Sequence, residues 1–237
     1  MSSVIQSGYL KRNDGSHLEN VKYDLLFLKE DCLQDIIDLQ DLMVKSLPNP
    51  ELFQPELADF YKEQLIKDKT VIGAVTYEGL IAFGLFRVPG QSGDNMGRDL
   101  GINDLNKVVH LELLVLHPYY RGNSMQKLIS RTLIDLIIER NYEDICCTVS
   151  PKNYYSLNNM ISLGFSIRKI KIKFEDKLRC IMHKNVLKQP DSTWQEVVDV
   201  DGKNIAIQER LVKDGFEGFA LKGTEGNFVI SYGKRTS

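Results

Sequence analysis

The residues best placed to do chemistry lie in one segment, Leu111-Glu-Leu-Leu-Val-Leu-His-Pro-Tyr-Tyr-Arg-Gly-Asn-Ser-Met-Gln-Lys-Leu-Ile. A near-continuous apolar run passes through His117-Pro118 into Arg121-Gly122, and a helical pattern starts directly afterwards. The first amides of a helix have no partner inside the helix, and the positive end of its dipole stands behind them. A strand, an Arg-Gly turn and a helix in succession therefore offer an anion site. Gly122 allows close backbone approach, and Arg121 adds a fixed charge. The same junction also reads as a plain turn capped by Ser124. Other phosphate motifs fit worse, because the chain has no G-x-x-x-x-G-K-[ST] and no G-x-G-x-x-G after a strand.

Within the apolar run, Glu112 shares a face by alternation with His110, Leu114 and Leu116. Burial in such a strand raises a carboxylate pKa toward the range of a general base. His110, near neutral pKa without help, is the rival base. An ion-paired or solvated Glu at a strand edge and a hydrogen-bonded core His are the structural alternatives. Metal ligation is not expected. His17, His110, His117 and His183 form no i,i+4 pair, and Cys32, Cys146, Cys147 and Cys180 show no C-x-x-C spacing. The cysteines read as small core hydrophobes in a reducing compartment.

The elements that must hold these residues follow from periodicity. Residues 1–21, polar and turn-rich around Asn13-Asp-Gly, read as a loosely ordered arm. Asp24 to Leu28 is a short strand. A helical stripe runs from Asp31 to Leu47 and stops at Pro48. A second helix is expected from about Pro55, with Leu57, Phe60, Tyr61, Leu65 and Ile66 inward. Thr70 to Tyr77 and Leu80 to Val88 form a hairpin around Glu78-Gly79. Pro89 to Asn106 reads as a long polar loop of the functional or mobile kind.

Val108 to Leu116 is a strand covered on both faces, followed by a helix from about Ser124 to Arg140. Ile145 to Val149 is a further buried strand, and a helix over Tyr154 to Leu163 ends at Gly164. Ser166 to Phe174 and Arg179 to Val186 make an antiparallel pair. Lys169, Lys171 and Lys173 on the first of these read as its solvated face. Gln189-Pro-Asp-Ser is a linker, and residues 190–237 are a small β-α-β-β extension. At that size the extension needs the main body or a partner chain to pack on.

Composition narrows the class. The 237 residues are 43% hydrophobic and 26% charged, with 30 Lys+Arg against 32 Asp+Glu, a net charge of −2. The chain is a folded α/β protein with no basic field for nucleic acid or an anionic membrane surface. No apolar run reaches the ~18 residues of a membrane span, and the start lacks a secretory signal, so a cytoplasmic location is expected.

The segment His117-Pro118-Tyr119-Tyr120-Arg121-Gly122-Asn123-Ser124-Met125-Gln126 resembles the signature of the GNAT family of acetyl-CoA-dependent N-acetyltransferases. That signature is a strand, then His/Asn-Pro-x-Tyr-Arg-Gly-x-Gly-x-Gly, then a helix. Here the two later glycines are replaced by Ser124, which is small, and Gln126, which is bulky. The Gly-Asn-x-x-Gln form resembles a variant of Firmicute members, which also carry a longer preceding loop, as Pro89 to Asn106 would be. A second block agrees: Asn153, Ser156, Gly164 and Phe165 hold the register of the family's Asn-x-x-Ala/Ser and Gly-Phe. The resemblance spans roughly residues 22–188 and implies a mixed central sheet flanked by helices.

It further implies acetyl-CoA as co-substrate and direct attack of an amine on the thioester. Glu112 would be the base. The backbone of Leu114 and Leu116 would meet the pantetheine and thioester. Arg121, Gly122, Asn123, Ser124, Met125, Gln126 and Lys127 would hold the pyrophosphate, and Asn153 and Ser156 the pantetheine arm. Many family members place a Tyr, as the acid for the departing thiolate, where this chain has Met160; Tyr154 or Tyr155 is a possible substitute. Acceptors in range are polyamines, aminoglycosides, amino acids and protein N-termini or lysines, and a homodimer is the commonest assembly. The alternatives are a non-catalytic acyl-CoA sensor with the same fold and an interaction protein acting through its C-terminal extension.

Overall fold

The computed structural model describes residues 4–187 and 193–236, and the chain divides into two units. The first comprises residues up to Arg87 together with Leu111–Leu136. It opens with an antiparallel hairpin of β1 (Val4–Asn13) and β2 (Leu18–Phe27), in place of the loose arm expected for residues 1–21. The turn chemistry explains the difference. The Asp14 carboxylate accepts from the Ser16 and His17 amides at 2.9 and 2.8 Å, and Gly15 adopts φ +92°. An Asn-Asp-Gly turn is a strong hairpin signal, and only the exposed outer face made the strand look like a polar arm.

β2 pairs with β3 (Val71–Thr76), and β3 with β4 (Gly79–Arg87), in antiparallel register. The strand β5 (Val108–Leu116) neighbours β4 and contributes Leu111–Leu116 to this unit. The helices α1 (Leu33–Lys45) and α2 (Ala58–Leu65) bury Ile36, Leu39, Met43, Tyr61 and Leu65 against Val71, Phe83, Leu85, Leu113 and Val115. Pro55 lies outside α2 and not in its first turn. The helix α4 (Met125–Glu139) presents Ile129 and Leu133 toward Gly84 and Leu114.

The second unit comprises Val88–His110 and the residues from Ile137 onward. Val108, Val109 and His110 of β5 pair in parallel with β6 (Asp144–Val149). Antiparallel neighbours follow in the order β8 (Lys177–Asn185), β7 (Ser166–Lys173), β10 (Glu217–Thr224), β11 (Asn227–Arg235) and β9 (Trp194–Asp201). Pro89 to Asn106, expected as a long polar loop, contains the short helix α3 (Met96–Leu100). Met96 and Leu105 join Val108, Cys146 and Ile181 in a core cluster. The helix α5 is Tyr154–Ser162, and α6 is Ile205–Lys213.

The C-terminal β-α-β-β pattern is present and continues the strand order from β7 at the Gly218–Ile167 pair. Its docking is polar as well as apolar. Glu217, 8% exposed, accepts the Ser166 hydroxyl at 2.6 Å and faces Arg168 and Arg235 at 3.4 and 3.3 Å. Buried Tyr232 donates to Gln208, whose amide donates to the Asp201 and Gly202 carbonyls. Trp194 stacks on Phe219 with centroids 4.3 Å apart. The expected linker at 189–192 lies outside the described residues.

Gly84 of β4 lies under the side chains of Ile129 and Leu114 with no room for a Cβ. A Cβ there would stand 2.6 Å from Ile129 Cγ2 and 2.7 Å from Leu114 Cδ2. Gly84→Ala is therefore expected to destabilise by about 1–3 kcal/mol, as overpacking does. A lowered urea midpoint with an unchanged slope is the check, and an unchanged midpoint would refute the tight β4–α4 contact.

Candidate functional site

The turn between β5 and α4 carries the chain from a buried strand into the start of a helix. His117 opens it, its Nδ1 accepting the Tyr119 amide at 3.2 Å. Burial holds the His117 ring below its usual pKa, which suits this acceptor role. Gly122 follows at φ +84° and Ser124 at φ +57°. The first helical hydrogen bond of α4 runs from the Leu128 amide to the Ser124 carbonyl, 3.0 Å. The amides of Met125, Gln126 and Lys127 thus lie ahead of the helical ladder. Ser124 is not the extended cap that a plain turn would have. Its left-handed backbone is one that glycine adopts without strain.

The side chains around this turn are committed to its shape. Asn123 Oδ1 accepts the Lys11 amide at 2.8 Å, and its Nδ2 donates to the Lys11 and Tyr120 carbonyls at 2.7 and 2.9 Å. Asn123 can therefore offer a ligand its backbone but not its side chain. The Tyr120 hydroxyl donates to Glu78, which also accepts from Arg12 Nε. The Tyr120 hydrogen bond is the main reason the Glu78 pKa lies below its usual value. Arg121 Nη2 donates to Ser46 Oγ at 2.9 Å and is otherwise exposed. Met125 is a core anchor, 2% exposed, and Gln126 and Lys127 are half-buried.

Glu112, the expected base, has the ion pair that its structural alternative foresaw. It is paired with Arg87, Nε to Oε1 at 2.9 Å, with both side chains 19% exposed. Glu56, before α2, shares this electrostatic environment. Burial raises its pKa, Glu112 raises it further, and Arg87 opposes. Gln40 of α1 holds the Glu56 backbone at both its amide and its carbonyl, 2.9 and 3.1 Å. Leu114 packs toward Gly84, and Leu116 is 7% exposed, so both would serve a ligand through the backbone.

In the second unit, Asn153 caps α5, its Oδ1 accepting the Ser156 amide at 3.1 Å. That use of the oxygen leaves the Asn153 Nδ2 as the group to donate outward. Tyr154 and Tyr155 are spent: their hydroxyls donate to the Gly223 carbonyl and to Glu225 at 2.8 and 2.9 Å. Met160 is core, 4% exposed. His110, 1% exposed, accepts the Met96 amide on Nε2 at 3.0 Å and so helps seat α3. Among the described residues no group of three His, Cys, Asp or Glu is arranged to hold a metal.

Sequence reasoning missed Arg87, Glu56 and Asp99. Lys171 and Lys173, expected as part of a solvated face, close on Asp99 of α3 at 2.6 and 2.9 Å. Lys169 adds a bond to the Asp99 carbonyl at 2.9 Å. The signal available was a lone acid within the long loop and an unusual run of lysines on one strand face.

No protein-family model matches the sequence, and no curated protein matches it. Solved structures do. The ribosomal-protein-S18-alanine N-acetyltransferase of Escherichia coli superposes with a TM-score of 0.53 at 12% identity, over 73% of this chain and 99% of that one. A GNAT-family acetyltransferase of Listeria monocytogenes gives 0.52 at 17%, over 74% and 99%. A putative acetyltransferase of Salmonella typhimurium, solved with its cofactor acetyl-CoA, gives 0.52 at 14%, over 70% and 95%.

Two outcomes follow from the site. Ser124→Val places a β-branched residue at φ +57° and should cost about 1–2 kcal/mol, whereas Ser124→Gly should not lower the melting temperature. Asp99 is pushed up by burial, but Lys171 and Lys173 outweigh this and hold it below its usual pKa. A depressed carboxylate stabilises above its unfolded pKa, and the gain fades as pH falls through the folded value. Asp99→Asn should therefore lower stability at pH 7 by more than at pH 3. A pH series of unfolding midpoints showing a constant deficit would contradict this.

Proposed function

We propose, from the GNAT fold that this chain has, that it is an acyl-CoA-dependent N-acetyltransferase acting on an amine. The observation that carries the reading is the turn into α4, with Gly122 and Ser124 both at positive φ directly before the first helical residue, Met125. A Cβ added at Gly122 would meet nothing within 4 Å, so the turn is open where a pyrophosphate would lie. The donor set fits an anion. Acetyl-CoA, when bound, supplies the activated acyl thioester.

The chain's own residues do the rest. Arg121 and the amides from Gly122 to Lys127 hold the pyrophosphate, with the dipole of α4 behind them. Asn153 donates its Nδ2 to a pantetheine carbonyl, beside Ser156. The backbone at Leu114 and Leu116 meets the arm and the thioester oxygen, where negative charge develops in the transition state. Glu112 accepts the proton of the attacking amine, which must be neutral to attack. Arg87 fixes that carboxylate in place.

Transfer is direct, without a covalent enzyme intermediate. Cys146 and Cys180 are buried, and burial pushes each thiol up to about 12, far from a thiolate at neutral pH. These free thiols suit a reducing, cytoplasmic setting. The acceptor is an amine on a small molecule or a peptide. The rival reading, a non-catalytic acyl-CoA sensor, draws on one feature: Met160 and the committed Tyr154 and Tyr155 leave no tyrosine at this helix to protonate a thiolate.

Thermal shift with acetyl-CoA, CoA and ATP as separate additions tests the reading. Ligand at ~100 times its dissociation constant adds about 2.7 kcal/mol. Both CoA forms should raise the melting temperature while ATP does not; no shift with either CoA form removes the proposal. Thiol release across an amine panel then separates enzyme from sensor. Glu112→Gln should cut kcat by about 10²–10⁴ with CoA binding retained.

A further inference from the structure

The three acetyltransferases align over 70–74% of this chain while using 95–99% of their own, so part of this chain has no counterpart in them. The C-terminal β9-α6-β10-β11 element lies against the helix that carries Asn153. We propose that this element is a positioning device for the cofactor contact at Asn153, acting through Tyr154 and the β10–β11 turn. The inference rests on the reading of Asn153 as a pantetheine contact.

The path is continuous in the second unit. Tyr154 follows Asn153 directly, donates its hydroxyl to the Gly223 carbonyl at 2.8 Å, and sets its ring edgewise against Phe228 at 5.3 Å. Tyr155 donates to Glu225 at 2.9 Å and packs on Tyr154 at 5.4 Å. The receiving carbonyl is held by backbone geometry. Gly223 has φ +104°, and a Cβ there would collide with the Asn227 carbonyl oxygen. Only glycine keeps that turn and points that carbonyl at Tyr154.

The turn is itself anchored away from α5. Glu217 and Gly218 fasten β10 to Ser166 and Ile167, and Gln208 joins α6 to Tyr232 of β11. Asn153 sits at φ −93°, ψ 81°, outside the helical basin; its Oδ1 accepts the Ser156 amide, its carbonyl accepts the Leu157 amide at 3.0 Å, and its own amide donates to the Ser150 carbonyl at 2.9 Å. These bonds tie the direction of the cap to the seat of the first turn of α5. Tyr154, the first residue of that helix, fastens the turn to Gly223.

The test uses the full chain and two probes. CoA carries the pantetheine arm; 3′-phosphoadenosine 5′-diphosphate is its nucleotide end alone. Titration calorimetry on the unaltered protein, Tyr154→Phe and Gly223→Ala compares them, with Tyr77→Phe as a surface control. Both variants should bind CoA about three- to tenfold more weakly, the loss of one net hydrogen bond. The nucleotide probe should change by less than about twofold, because it never reaches Asn153. Tyr154→Phe removes a single oxygen and keeps the test decisive if Gly223→Ala does not fold.

Unchanged CoA affinity in Tyr154→Phe, beside an unaltered protein that binds CoA, overturns this inference alone. An equal loss on both probes also overturns it, since a general loosening would do that. An unaltered protein that binds neither CoA nor acetyl-CoA overturns the cofactor reading, and this inference with it.

Discussion

The unladdered amides at the start of α4 are the constraint on which the surrounding structure depends. Amides without a helical partner must meet solvent, a side chain or an anion. Ser124 enters the helix with a left-handed backbone, where an ordinary cap is extended. A backbone in that conformation persists only when its neighbours hold it. Asn123 does so by bonding both the amide and the carbonyl of Lys11, and Tyr120 does so through Glu78 and Arg12. The hairpin of β1 and β2 is thereby part of the machinery of the turn. Its second strand covers the core with Val21, Tyr23 and Leu25.

Half-buried charge pairs recur where elements must be held at a fixed distance. Glu112 with Arg87, Asp99 with Lys171 and Lys173, and Glu217 with Arg168 and Arg235 each tie residues far apart in sequence. Such pairs add little net stability, because desolvation offsets the attraction. Removing one partner is costly, since it strands the other. That asymmetry makes them suited to fixing geometry. At Glu112 the geometry concerns the proposed proton acceptor; at Asp99 it seats α3, in a stretch expected as a loop.

Legibility followed range. The apolar run of Val108 to Leu116, the helix after Ser124, the helix ending at Gly164 and the four C-terminal elements were all readable, because period and punctuation are local. The N-terminal hairpin was misjudged because one face of β1 is exposed almost throughout and only Leu10 is buried along it. The short helix α3 was missed because five residues carry too little periodicity, and its hold comes from His110 and Asp99. Tyr154 and Tyr155 were open as proton donors until the β10–β11 turn, some seventy residues away, was seen to take both hydroxyls.

By itself the sequence determined the α/β class, the junction of strand, Arg-Gly turn and helix, and the second block at Asn153 and Gly164. These depend on spacing along the chain, and spacing survives without any knowledge of contacts. Tertiary structure alone decided the partner of Glu112, the loss of the Asn123 side chain to Lys11, the left-handed state of Ser124 and the seat of the C-terminal element. All but the Ser124 backbone involve pairings of polar groups distant in sequence. Hydrogen bonds and ion pairs are directional and short-ranged, so their partners are chosen only once the folded backbone has brought the groups within reach.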